Sequence, residues 1–240
     1  MKRFALLTLT VALLGFPLTA SAEGSGQTSA MELRFGTYKP AIDSEFSGGV
    51  SPYKDIFGDN SAWLFGAEYD AQIWRGFGSI GLFGSAAWGY VSGKGVAPEG
   101  AETSDETTLS MVPIVLGAVY RFDVLADRFN IPFVLTGKLG VDYTLWWIRD
   151  GLDDVTEYSD AGGSKLPGYG GTFGLHWAVG FHLLLDFFEP HTAKIFDNEM
   201  GVNNSYLFAE YVGYWVNDFG ASDSFDLSHN GVVFGLAFEL

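Results

Sequence analysis

Cysteine is absent from the 240-residue chain, so the fold has no disulfides, no thiolate metal site and no lipoprotein anchor on cysteine. Basic residues are also scarce, with 13 Lys and Arg against 29 Asp and Glu and a formal net charge of −16. Nucleic acid is therefore not an expected partner, because its phosphates need a basic face. This charge favours divalent cations and the ionic surroundings of an outer cell surface as partners.

Long apolar runs are missing as well. Beyond the first 22 residues there is no run of 18 or more apolar residues, which excludes helical membrane spans. Residues 1–22 combine a basic start, an apolar run over 4–18 and a small-residue triplet at 20–22, the layout of a secretory signal peptide. We predict its removal before Glu23, which leaves 23–240 as one domain. A membrane anchor is the alternative, but a run of about 15 residues is short for a helical span.

Aromatic residues make up 16% of the chain, and there are 32 glycines. The aromatic residues alternate with glycine and polar residues along the chain. The pattern is clearest at the C-terminus, where every second residue from 232 to 240 is apolar. Strict period two predicts a strand with one apolar face. Its ending resembles the C-terminal assembly signal of outer-membrane barrels, which the barrel assembly machinery recognises. The residues of this predicted signal are Phe234, Leu236, Phe238 and Leu240.

Similar alternation predicts seven further strands, so the fold class is an all-β, transmembrane, antiparallel up-and-down β-barrel of eight strands. The predicted strands are 31–38, 62–73, 77–91, 107–122, 133–147, 172–185, 205–216 and 231–240. A β-sandwich is the alternative for such an aromatic-rich chain. Pro113 is irregular in a closed sheet and predicts either a bulge near the outer rim or a later start of the fourth strand.

The connections alternate in length, which predicts the orientation of the barrel. Short connections at 74–76 and 123–130 are assigned to the periplasm, and long ones at 39–61, 92–106 and 148–168 to the cell surface. The connection at 187–203 is long although it is periplasmic, and Pro190 predicts a short helix in it. Aromatic residues near the strand ends are expected to form two girdles at the headgroup level. They are Trp63, Trp74, Trp88, Tyr90, Trp146, Trp147 and Trp215.

If the apolar rows face lipid, several charged residues face the lumen. They are Arg34, Glu68, Asp70, Arg121, Lys138, Asp142, Glu210 and Glu239. Buried charges must pair, so we expect a polar network that fills the lumen. An ion-conducting lumen is the alternative reading. Large interior side chains favour obstruction, namely Phe83, Tyr206, Phe208 and Tyr214.

Evidence for catalysis or a metal centre is weak, and we predict no enzyme activity, cofactor or bound metal. His176 and His182 lie six residues apart on one strand, roughly 20 Å, too far to share a ligand. Ser228 beside His229, with Asp226 nearby, is the one candidate for a nucleophile and base, and adjacency in sequence does not define a triad. The outer connections are acidic, but none has the spacing of a calcium-binding loop. Their acidic residues are Asp43, Glu45, Asp55, Asp59, Glu99, Glu102, Asp105, Glu106, Asp150, Asp153, Asp154, Glu157 and Asp160.

Four segments resemble a family of small outer-membrane β-barrel proteins known mainly from myxobacteria and other δ-proteobacteria. The segments are MELRFGTYKPAID at 31–43, PYKDIFG at 52–58, LLLDFFEP at 183–190 and GVNNSYLFAEY at 201–211. The resemblance covers most of the chain after residue 22. It implies an outer-membrane barrel and transfers no catalytic residue.

The sequence thus predicts a non-enzymatic protein of the Gram-negative outer membrane, exported by the general secretory route. Its role is expected to be structural, or to lie in contacts of the acidic loops with lipopolysaccharide, divalent cations or a partner. A narrow pore for ions or small solutes is the first alternative, and an enzyme acting on envelope lipid is the second.

Overall fold

The computed structural model describes residues 28–46, 49–96, 102–159, 165–221 and 224–240. The predicted signal peptide at 1–22 therefore lies outside the described residues, as do Glu99 and Asp160. The strands are β1 (Ser29–Tyr38), β2 (Ala62–Gly76), β3 (Gly78–Val96), β4 (Glu102–Phe122), β5 (Phe133–Arg149), β6 (Glu157–Ser159), β7 (Lys165–Pro167), β8 (Tyr169–Leu184), β9 (Asn204–Val216) and β10 (His229–Glu239). The helices are a 3-10 turn (Ile42–Glu45), α1 (Pro52–Phe57), α2 (Val124–Phe129) and α3 (Pro190–Met200).

Eight of these strands form a closed antiparallel barrel in the order β1-β2-β3-β4-β5-β8-β9-β10, with β10 paired to β1. The predicted eight-stranded barrel is therefore confirmed. β6 and β7 form a separate small hairpin in the connection between β5 and β8. No helix in the described ranges has both the length and the apolar character needed to cross a membrane.

Side chains alternate between the two faces of the wall as period two requires. The predicted apolar rows point outward, and side chains such as Leu139, Leu116 and Phe65 are exposed by 71, 62 and 58%. The same face carries Phe234 and Leu236 of β10, exposed by 52 and 40%. A band of large exposed apolar side chains around a closed barrel is typical of a wall in contact with lipid. We call it the lipid-facing wall.

Leu139→Arg tests this assignment. A cation near the middle of the lipid-facing wall is expected to lower the free energy of unfolding by about 2–4 kcal/mol. Leu152→Arg is the matched control, because Leu152 is 84% exposed in the outer turn after β5 and surface substitutions cost at most about 0.5 kcal/mol. Urea unfolding in phospholipid vesicles measures both, and equal effects of the two substitutions would contradict a lipid-facing Leu139.

Pro113 corrects the prediction of a bulge or a later strand start. It lies inside β4 opposite Thr144 of β5, and β4 begins earlier than predicted, at Glu102. The register with β3 is the same on both sides of Pro113, with Ala86 opposite Ile114 and Gly89 opposite Met111. The missing N–H of proline is thus accommodated without an inserted residue.

The outer connections contain more regular structure than predicted. Most of the predicted loop at 92–106 is an extension of the hairpin of β3 and β4, in which Lys94 pairs with Glu106. The connection at 39–61 contains the 3-10 turn and α1. At the opposite end of the barrel, α2 occupies the short connection after β4, and the helix predicted from Pro190 is present as α3.

Five of the rings predicted for the aromatic girdles lie exposed on the outside of the wall, and one does not. Trp63, Trp74, Trp88, Tyr90 and Trp215 are exposed by 48–58% on the outer face of the wall. Trp146 is only 8% exposed and packs inside the barrel against Phe225. Its neighbour in sequence, Trp147, is half-buried and alternates to the opposite face.

Candidate functional site

The centre of the lumen holds a cluster of five ionisable side chains from four strands, which we call the ion cluster. Its members are Glu32 and Arg34 of β1, Glu68 of β2, Lys138 of β5 and Glu210 of β9. Arg34 contacts all three carboxylates, with one guanidinium nitrogen at 2.5 Å from Glu32 and 2.9 Å from Glu68, and the other at 2.6 Å from Glu210.

Lys138 contacts the same three carboxylates. Its Nζ lies 2.8 Å from Glu32, 2.5 Å from Glu68 and 2.9 Å from Glu210, and the side chain is completely buried. Each carboxylate is therefore shared between an arginine and a lysine. Because the members come from strands on different sides of the barrel, the ion cluster spans the lumen rather than lining it.

A second arginine extends this network. Arg121 of β4 donates to both oxygens of Asp70, at 2.8 and 2.5 Å, in a two-point contact that fixes both side chains. It also lies 3.5 Å from the second oxygen of Glu32. Glu32 thus joins Arg121 and Asp70 to the ion cluster. In the whole network, four carboxylates are contacted by the basic side chains of Arg34, Arg121 and Lys138.

Two sets of three side chains in and beside this network could in principle hold a metal ion, because one oxygen or nitrogen of each lies within 4.8 Å of the others. The sets are Glu32, His182 and Glu210, and Glu32, Glu68 and Asp70. The protein's own cations already contact these carboxylates, as the distances from Lys138 and Arg121 show. The arrangement therefore works as an internal salt-bridge network without requiring a metal ion.

Aromatic rings cover the ion cluster from inside the barrel. The guanidinium of Arg34 lies 5.5 Å from the centre of the Phe208 ring, and Nζ of Lys138 lies 5.8 Å from that of Phe83. Both are within the range of cation–π attraction. His182 stacks on Phe208 at 5.1 Å, and these rings are 4% exposed or less. The interior aromatic residues therefore obstruct the lumen, as the sequence suggested.

The outer end of the lumen is closed by an apolar core built from strands and from the outer connections, which we call the outer plug. Its buried members are Tyr38, Ile42, Tyr53, Phe57, Ala62, Leu64, Val91, Leu109, Met111, Trp146, Val216 and Leu227. Three of them come from the connection between β1 and β2, and the Phe57 and Tyr53 rings of α1 lie 5.0 Å apart. That connection is thus folded onto the barrel mouth.

Polar contacts fix α1 in the outer plug. The carboxylate of Asp43 accepts hydrogen bonds from the backbone N–H groups of Tyr53 and Lys54, at 2.7 and 3.1 Å. The hydroxyl of Tyr53 donates to the carbonyl of Asn60. Burial, with a smaller effect of the nearby Asp43 charge, raises the pKa of Tyr53 to about 12. Asp43, one of the acidic residues of the outer connections, therefore serves as a structural acceptor.

The opposite end of the lumen, predicted to be periplasmic, is closed more loosely. Glu239 accepts hydrogen bonds from the Tyr206 hydroxyl and the Asn204 amide, at 2.9 and 2.7 Å. These groups line a cavity of about 70 Å³ beside Ala126 of α2. That volume holds a few water molecules. Ala126 also packs against the apolar cluster that includes Tyr206 and Val134, so α2 forms part of the floor.

The structure places all eight predicted interior charges inside the barrel, but it does not bring them all together. Asp142 is 1% exposed and accepts a hydrogen bond from Thr144 at 2.6 Å, apart from the ion cluster. The sequence reading missed Glu32, which contacts Arg34, Lys138 and Arg121. The signal was available, since Glu32 lies two residues before Arg34 and therefore shares its face of β1.

The candidate catalytic group does not assemble. His229 accepts a hydrogen bond from the Lys39 backbone N–H, and its other ring nitrogen lies 2.9 Å from the Thr37 carbonyl oxygen. Ser228 accepts from the backbone N–H of Val216. Asp226 accepts from the Ser44 hydroxyl and the Ser228 backbone N–H. Both nitrogens of His229 are thus engaged by the backbone, and Asp226 and His229 tie the last outer connection to the first.

Comparison with known proteins gives a likeness of fold. No protein-family model matches the chain, and no curated protein matches it. Among solved structures, it is similar to the outer membrane protein OprG from Pseudomonas aeruginosa (13% identity, 90% of this chain, 98% of that chain, TM-score 0.49). It is also similar to Neisserial surface protein A (12% identity, 91% of this chain, 100% of that chain, TM-score 0.45). A third similar structure is Ail, the attachment invasion locus protein of Yersinia pestis (13% identity, 88% of this chain, 96% of that chain, TM-score 0.40).

Proposed function

We propose that this protein is a non-conducting barrel of the Gram-negative outer membrane, and that its function lies in the surface formed by its outer connections. The observation that supports this proposal is the ion cluster, in which Arg34 and Lys138 each contact three carboxylates across the lumen. Ions can pass only if these contacts break, and breaking a buried ion pair is costly. The outer plug adds a second, apolar barrier.

The outer surface offers the chemistry for contacts with lipopolysaccharide. An open groove of about 460 Å³ at the outer rim lies between the exposed rings of Trp63 and Tyr90. Its lining includes Asp59, Asn60 and Ser92. Aromatic faces combined with hydroxyl, amide and carboxylate groups suit the sugars of a glycolipid headgroup. Exposed carboxylates of the outer connections suit divalent cations, which also bridge lipopolysaccharide phosphates.

Export and assembly follow from the same proposal. The chain would be exported by the general secretory route, and the barrel assembly machinery would recognise the end of β10. Phe234 and Leu236 lie on the lipid-facing wall, where such a signal is accessible before the barrel closes. The resemblance of the sequence to the myxobacterial outer-membrane family supports this location.

Single-cysteine labelling in intact cells tests the location and orientation, because the chain has no native cysteine. Leu152→Cys lies in the outer turn after β5, and Asn198→Cys lies in α3; both positions are exposed. A membrane-impermeant maleimide should label Leu152→Cys in intact cells and Asn198→Cys only after the outer membrane is permeabilised. The reverse pattern would invert the orientation, and labelling of neither variant after permeabilisation would contradict the exposure of both sites.

A further inference from the structure

The two periplasmic helices differ in how they contact the barrel. Ala126 of α2 packs against the apolar cluster at the barrel floor and lines the cavity there. Within the described part of the chain, no residue of α3 belongs to a buried apolar cluster. The floor is therefore closed by α2, and α3 is available for another role.

Apolar side chains of α3 are left exposed. Ile195, Phe196 and Met200 are exposed by 43, 41 and 63%, and the turn before the helix exposes Phe187 and Phe188 by 51 and 63%. With about 3.6 residues per turn, positions 196 and 200 lie on the same side of the helix, whereas 195 lies about 100° away from 196, next to Glu199. Together with Phe187 and Phe188, these side chains place several large exposed apolar groups within one short connection.

The position of α3 identifies what covers this surface. The helix leaves β8 at Leu184 and returns to β9 at Asn204, two strands that are neighbours in the wall. On those strands the lipid-facing wall reaches down to Phe181 and Leu207, exposed by 47 and 49%. Phe187 and Phe188 follow a few residues after Phe181. The apolar side chains of this turn and of α3 therefore follow directly along the chain from the edge of the lipid-facing wall on β8.

We propose that α3 is an interfacial helix that lies in the inner leaflet of the outer membrane, with Phe196 and Met200 inserted at the boundary of headgroups and acyl chains. The partner is therefore the phospholipid bilayer itself. This inference rests on the proposed membrane location of the barrel. An amphipathic helix of this kind binds through the apolar area that it buries.

Charge supports hydrophobic insertion rather than attraction to anionic lipid. Asp197, Asn198 and Glu199 occupy successive positions among the exposed or half-buried residues of α3. Two carboxylates near the apolar side chains do not favour an anionic surface. We therefore expect the insertion of α3 to be insensitive to salt, in contrast to helices that bind through Lys and Arg.

Spin labels on single cysteines test the proposal in the full barrel reconstituted in phosphatidylethanolamine-rich vesicles. The labelled variants are Phe196→Cys and Met200→Cys on the apolar side and Asn198→Cys on the other. The relaxation of each label by oxygen, which concentrates in lipid, is compared with relaxation by a water-soluble nickel chelate. We expect a higher ratio of oxygen to nickel accessibility at 196 and 200 than at 198, with no change in high salt.

Two further labels separate failure of this inference from failure of the proposed function. Leu139→Cys reports the lipid-facing wall, and Leu152→Cys reports the outer turn. A lipid-like ratio at 139 with water-like ratios at 196 and 200 would overturn the interfacial helix and leave the membrane barrel intact. Labels at 196 and 200 that are shielded from both reagents would also overturn it, because a protein would then cover α3. A water-like ratio at 139 would overturn the membrane barrel.

Discussion

Lys138→Met is expected to lower the free energy of unfolding by about 3–5 kcal/mol, the cost of removing one partner from a buried ion pair. Lys138 is completely buried and contacts the carboxylates of Glu32, Glu68 and Glu210. Methionine has a similar length and no charge, so the substitution leaves three carboxylates with Arg34 as their main partner. The change is measured by urea unfolding in phospholipid vesicles, with heat-modifiable migration on a gel as the readout of the folded fraction.

The matched control is Lys39→Met. Lys39 forms an ion pair with Asp59 at 3.0 Å, but the two side chains are 38 and 87% exposed, so this substitution is expected to change stability far less than Lys138→Met does. Adding Glu68→Gln to Lys138→Met removes one unpaired charge and should restore part of the lost stability. If Lys138→Met yields no folded barrel, the double variant should recover folded protein. Equal stability of Lys138→Met and the unsubstituted protein would contradict the ion cluster.

Arg121→Met has the second large effect, again about 3–5 kcal/mol, because it removes the two-point partner of Asp70. Arg121 and Asp70 are 3 and 0% exposed, so water cannot replace the guanidinium. Arg149→Met is the control, since Arg149 contacts Asp153 at 2.8 Å in an exposed pair and should cost at most about 1 kcal/mol. The same unfolding measurement applies, and equal losses for the two variants would contradict burial of the Asp70 pair.

The two interior substitutions are also expected to interact. Arg121 and Lys138 both contact Glu32, at 3.5 and 2.8 Å, so their removal affects a shared partner. The double variant should depart from the sum of the single effects by about 0.5–3 kcal/mol. Combining Leu139→Arg with Arg149→Met, two changes without a shared partner among the contacts described, should give additive effects. Strict additivity of the interior pair would show that Glu32 does not link them.

Much of the barrel could be predicted from alternation alone. All eight strands were located because lipid on one side and a packed lumen on the other impose period two. Alternation also predicts the facing of Trp146 and Glu32, although residue type alone suggests otherwise for Trp146. Trp146 was assigned to a girdle because tryptophan favours interfaces, although the alternation that turns Trp147 outward turns Trp146 inward. Glu32 was likewise identifiable from its spacing to Arg34.

What the sequence could not show depends on contacts between distant segments. Nothing local indicates that Phe57 of α1 enters the barrel mouth, or that the backbone of Thr37 and Lys39 engages His229. The sequence predicts a loop where the hairpin of β3 and β4 extends, because the Gly, Ser and Glu residues there do not alternate in polarity. In this extension the strands are paired through their backbones, and hydrophobic pattern carries no signal for such pairing.

Single-channel conductance of the refolded barrel in a planar bilayer tests the central claim most directly. A barrel whose heat-modifiable migration shows that it is folded should give no discrete openings, because the ion cluster and the outer plug both cross the lumen. Reproducible openings whose size changes on Glu210→Gln would contradict the account, since the ion cluster would then line a conducting path instead of closing it.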